Sequence, residues 1–153
     1  MASSSRGLQT VLQVVLSIAI LALFYILFIS ITEPYAAVER KKEVTQETRH
    51  RMDQVRIAMI QYQRVKGRYV TTLDSLVSWI RTDVTMMSKA DSVFGERFML
   101  DSLAYSPRTG KMFILAVNDT SRSHTYLLSD PDSDDHIGTA SGDVTDLNAA
   151  SWE

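Results

Sequence analysis

An almost unbroken apolar run from Val11 to Ile31, VLQVVLSIAILALFYILFISI, constrains this chain more than any other feature. Gln13 and Ser17 are its strongly polar interruptions before Ser30, and no Asp, Glu, Lys or Arg falls inside it. As a helix, such a run rises about 30 Å, the thickness of a bilayer's hydrocarbon core. It is too long, and too close to the start of the chain, for the core helix of a small soluble domain. A signal peptide is the competing reading, because the leader MASSSRG carries an Arg as an n-region does. The run exceeds the usual apolar length of a signal, and Ser30-Ile31-Thr32 is a poor substitute for a small-x-small cleavage site. The expectation is an uncleaved single-pass anchor.

The sequence has 153 residues, so one small domain remains beyond the anchor. A net charge of -2 offers no electrostatic footprint for nucleic acid. The chain has no cysteine, which rules out a disulfide framework and a thiolate zinc site. No phosphate-binding glycine loop, G-x-S-x-G or S-x-x-K motif is present, and His50, His124 and His136 are scattered among polar residues. The chain therefore reads as a non-enzyme.

The order of elements follows from periodicity and punctuation. Residues 1–10 form a leader, 11–32 the transmembrane anchor, 33–66 a long helical stalk and 67–153 a globular head. From Ala36 to Lys66 there is no Gly or Pro. Met52, Val55, Met59 and Tyr62 share one helix face, which packs either on the chain's own sheet or on a partner, the first being preferred. Gly67 is a C-terminal stop signal, and Thr72 caps a short helix that turns Leu73, Leu76, Val77 and Ile80 inward. Residues 82–96 read as an irregular connection. Three strands are expected: Arg97 to Ser106, Lys111 to Val117 and Thr125 to Ser129. Pro107-Arg108-Thr109-Gly110 forms a turn, Asn118 to His124 a loop, and the segment from Asp130 an acidic loop ending near Trp152. The fold class is α+β: an N-terminal transmembrane helix continuing into a long helix packed on a three- to four-stranded antiparallel sheet.

That order resembles the type IV pilin superfamily, closest to the major pseudopilins of type II secretion. Ala58 to Val77, AMIQYQRVKGRYVTTLDSLV, is similar to the family's helix end, G-R-Y and T-x-L-D/E-x-L helix start. The tail YLLSDPDSDDHIGTASGDVTDLNAASWE is similar to its acidic loop closing on S-W or N-W. The likeness covers roughly residues 50 to 153. Arg6-Gly7-Leu8 resembles the family's cleavage point, but its glutamate position falls at Leu12 and its aromatic position at Leu8. The resemblance implies a pilin-like subunit of a bacterial envelope complex. It also implies an inner-membrane location with the C-terminal domain in the periplasm. Arg40-Lys41-Lys42, taken alone, points the other way under the positive-inside rule. The alternative is an accessory single-pass subunit of another inner-membrane assembly, serving translocation, respiration or motility without polymerising. The partners are the membrane and other membrane-protein subunits, with self-association among the options.

Two groups of residues carry the candidate chemistry. Asp130, Asp132, Asp134 and Asp135 alternate on a flexible segment, as oxygen ligands of a hard cation do. The sixth place of an EF-hand loop, a required glycine, is Asp135, and the twelfth is Ser141, so the segment is no EF-hand. By resemblance, Asp130, Asp132, Asp134, Asp143 and Asp146 are the candidate calcium ligands; a solvated acidic loop is the plainer alternative. Within the anchor, Gln13 and Ser17 lie one turn apart. They either hydrogen-bond a neighbouring helix or, for Ser17, bond back to their own.

Overall fold

The computed structural model of the chain describes residues 3–95, 98–120 and 123–153. Helix α1 spans Ser3–Lys66. It is followed by α2 at Leu73–Thr82, α3 at Val84–Ser88, α4 at Ala90–Phe94 and a 3₁₀ turn at Leu100–Ser102. Strands β1 (Ile114–Thr120), β2 (Ser123–Ser129) and β3 (His136–Gly138) complete the order. The architecture is α+β. The chain divides into two compact units, 1–43 and 44–153.

In the first unit, Gly7–Ile31 is long and apolar enough to cross a membrane. Its large side chains are exposed all round: Leu12, Leu16, Leu21 and Phe24 each leave more than half their surface uncovered. Large apolar side chains left exposed around most of a helix are costly in water.

The second unit is built on the last turns of α1. Met52, Val55, Ala58 and Met59 are fully buried in the core of this unit, and Tyr62 is half-buried against it. The stripe read from the sequence is thus a core face. Helix α1 stops at Gly67, whose φ of 76° suits a residue without a side chain and whose N–H bonds to Gln63 O at 2.8 Å. The Thr72 hydroxyl accepts from Ser75 N at 3.3 Å and so caps α2, which buries Leu73, Leu76 and Ile80.

The sheet has the order β1-β2-β3, all antiparallel. Ile114 pairs with Ser129 and Thr120 with Ser123 at the two ends of the β1–β2 ladder. Tyr126, Leu128 and Ile137 face the core and are fully buried. The segment after β3 returns along its outer edge. Gly138 N bonds Ala149 O and Ser151 N bonds His136 O, both at 2.9 Å, while Ile137 bridges Ala150. The β3 edge is therefore covered by the chain's own end.

Three local expectations are corrected. The strand expected over Arg97 to Ser106 is not one in its described part, from Phe98 on: it holds the 3₁₀ turn and a single bridge, Tyr105 to Met112. Leu103 and Ala104 are buried side by side while Tyr105 is exposed, which breaks the period of two. Ser102 also bonds back to Met99 O through both its N–H and its hydroxyl, favouring a turn. Residues 82–96, read as irregular, hold α3 and α4; Asp83 caps α3 by accepting from Thr85 N at 2.9 Å and Met86 N at 3.0 Å. The polar stretch from Asn118 to His124 is mostly paired strand rather than loop. Register carries the ladder outward, and Asp119 and His124 meet across it through their side chains.

Candidate functional site

The acidic segment begins where β2 ends. Asp130 N bonds Asp135 O at 3.0 Å and folds residues 130–135 into a tight loop. The Ser133 hydroxyl donates to Asp130 Oδ2 at 2.7 Å, and Asp135 N donates to Ser133 Oγ at 3.3 Å. This brings two carboxylates inward, for Asp130 and Asp135 are both buried. A buried carboxylate needs a partner, and two separate elements supply them.

The turn at 107–110 supplies Arg108. Its Nε lies 3.0 Å from Asp130 Oδ2 and its Nη2 3.1 Å from Asp135 Oδ2. The first contact is an ion pair rather than a directed hydrogen bond, because the Nε–H has no aligned acceptor. Helix α1 supplies Arg49, whose Nε and Nη2 donate to Asp135 Oδ1 at 3.2 and 2.9 Å. Each oxygen of Asp135 thus faces its own guanidinium. Burial pushes the Asp135 carboxyl up, but the Arg49 hydrogen bonds and the charges of Arg49 and Arg108 outweigh it, leaving the carboxyl below its usual range. Arg49 also sits 5.2 Å from the Trp152 ring centroid, in cation–π range.

Nearer the surface, Lys111 Nζ pairs with Asp132 Oδ1 at 2.7 Å, and the Thr109 hydroxyl donates to Asp132 Oδ2. The Lys111 and Thr109 bonds hold that carboxyl below its usual range. Asp134 is exposed, and its carbonyl accepts from His136 Nδ1 at 2.9 Å. Asp143 caps its own turn by accepting from the Thr145 hydroxyl and from Thr145 N, the latter at 2.9 Å, and these bonds hold its carboxyl below its usual range. Asp146 is exposed and uses its carbonyl to accept from Ala149 N.

Of the five expected calcium ligands, Asp130 and Asp132 face cationic side chains, while Asp134, Asp143 and Asp146 are exposed. Among the described residues no group of three or more His, Asp or Glu is placed to hold a metal ion. The fit can be judged from the donor set itself. Among the described residues Asp130 Oδ1, which is buried, has no hydrogen-bond partner, and such an atom would welcome a cation. The other oxygens of Asp130, Asp132 and Asp135 already face Ser133, Thr109, Arg108, Arg49 and Lys111. Calcium takes six to eight oxygens, and here N–H donors occupy much of that space. As folded, Arg49, Arg108 and Lys111 supply the positive charge that these carboxylates face.

A second bracket holds the chain's end. Arg56 Nη1 donates to Asn148 O at 2.9 Å, and Nη2 pairs with Glu153 at 3.2 Å and Asp53 at 2.9 Å. The buried Tyr126 donates its hydroxyl to Asn148 Oδ1 at 3.0 Å. Burial raises the Asp53 carboxyl and the Tyr126 phenol above their ordinary ranges. The sequence carries no pattern that singles out Arg49, Arg56 or Arg108.

The three histidines stay apart in role: His50 contacts the Gln54 amide at 3.1 Å, His124 meets Asp119, and His136 meets Asp134. In the apolar span, the Ser17 hydroxyl donates to Gln13 O at 2.9 Å, the local alternative for that residue. No family model matches the chain, and comparisons with curated proteins and with solved structures also give no match.

Proposed function

We propose that the protein is a membrane-anchored, non-enzymatic, pilin-like subunit of a bacterial envelope complex, most similar to a type II secretion pseudopilin. The observation that supports this reading best is the division of labour along α1. Gly7–Ile31 is long and apolar enough to cross a membrane, whereas Met52, Val55 and Met59 form the spine of a small α+β domain. A protein so built displays a recognition surface beside a membrane. Its partners are the lipid bilayer and other membrane subunits, and in this reading the anchor sits in the inner membrane with the head in the periplasm.

Leu12 favours a second version. It stands where the resembling family carries the glutamate that helps a subunit enter a filament. In that version the protein is an accessory single-pass subunit of another inner-membrane assembly and does not polymerise. Purification through a C-terminal tag in mild detergent, with mass spectrometry of the partners and of this chain's N-terminus, separates the two. A secretion ATPase and platform protein, with a chain beginning at Leu8, supports the pseudopilin. An uncut N-terminus inside a different stable complex supports the accessory subunit. A chain recovered alone from the soluble fraction overturns both.

A further inference from the structure

Inside the apolar span the polar side chains of the first half are not scattered. Gln9, Thr10, Gln13 and Ser17 all lie in the helix α1 segment Gly7–Ile31. At 3.6 residues per turn they fall within an arc of about 100°. Val11, Val15, Ile18 and Ala22 occupy the opposite side. The polar face continues as Ile20, Phe24 and Leu27, which with Leu23 line a groove of about 160 Å³.

Hydrogen-bond supply on this face is uneven. The Ser17 hydroxyl spends its proton on Gln13 O, which leaves the Ser17 oxygen able to accept. A glutamine carboxamide carries two N–H donors and one carbonyl acceptor. It is therefore complementary to itself, and its second donor matches a hydroxyl oxygen. Lipid tails offer neither group.

Copies of a single-pass protein enter the bilayer in the same orientation. Identical residues then sit at identical depth, and a second copy presents Gln13 opposite Gln13. A different helix would need its own amide at that level. We infer that the Gln9–Gln13–Ser17 face pairs the span with the same face of a second copy, parallel and in register. The Gln13 carboxamides bond each other reciprocally across the pair. The Ile20-Phe24-Leu27 groove receives its counterpart below. This rests on the membrane reading above and adds the partner to it.

The absence of cysteine gives a clean background for the test. Single Ile20→Cys, Phe24→Cys, Val15→Cys and Ala22→Cys variants of the full chain are oxidised in bacterial membranes, and each sample is also extracted with alkaline carbonate. Ile20→Cys and Phe24→Cys give a disulfide-linked homodimer, and Val15→Cys and Ala22→Cys do not. Adding Gln13→Leu to Ile20→Cys lowers the dimer yield about tenfold, as expected for loss of an intramembrane hydrogen-bonded contact. Membrane-retained chains that cross-link on all faces, on none, or only to a band of different mass overturn the pairing and leave the anchor standing. Chains released by carbonate overturn the anchor itself.

Discussion

Arg108 has the most to lose by substitution. It faces Asp130, whose side chain is fully buried, and Asp135 at once. Truncating one member of a buried ion pair leaves the other charge stranded in low dielectric. Arg108→Gln should cost the head about 3 kcal/mol, read as a lower denaturant midpoint. Calcium should not stabilise the wild-type head, because guanidinium groups and Lys111 already serve the carboxylates. Calcium and chelator should give the same melting curve, and a calcium-dependent rise in wild type would contradict this geometry. The pH dependence has a defined sign. The Asp135 carboxyl is lowered on folding, so its stabilisation is present above the unfolded value near pH 4 and disappears as pH falls through the folded one. Asp53 is raised by burial and acts in the opposite sense, its charged form being costlier in the folded state. Asp135→Asn should therefore flatten the acid limb of a stability–pH profile, and Asp53→Asn should steepen it.

At the scale of elements, local rules worked where one interaction dominates. Gly67 and Thr72 mark a helix end and a helix start through single hydrogen bonds, and both are visible in composition. Thr72→Ala should cost about 1 kcal/mol, measured by equilibrium unfolding. Gly138 is the harsher site. Its φ is 82°, and an added Cβ would lie 2.3 Å from Tyr126 O and 2.8 Å from Leu147 O, both rigid backbone atoms. Gly138→Ala should therefore disrupt β3 and the returning chain far more than Thr72→Ala disrupts α2, seen as lost amide protection at Ser151 and Gly138. Patterns failed where long-range pairing decides. Asn118, Asp119 and Thr120 are polar enough to read as a loop, yet the ladder with Ser123 to Thr125 holds them extended. Phe98 to Tyr105 looks like a strand, yet Leu103 and Ala104 enter the core together. The acidic loop was legible as charge, but its partners were not, since Arg49 lies 86 residues from Asp135. Only the fold brings them within 3 Å.

Across the whole molecule, the apolar span and the small α+β head make different demands on their surroundings. The head contains its own core, from Met52 to Ala150, and covers the β3 edge of its sheet with residues that follow it. The span covers nothing of itself. A charge at its middle is therefore the most selective lesion: Ile20→Arg adds about 2.5–3.5 kcal/mol to insertion and leaves the core residues of the head untouched. That variant should shift toward the soluble or degraded fraction. An anchored chain with its head in the periplasm is tested by protease accessibility of a C-terminal tag in intact spheroplasts, scored together with carbonate extraction. The expected result is a carbonate-resistant chain whose tag is removed by protease added from outside. A chain released by carbonate, or a tag protected until the membrane is broken, would contradict it.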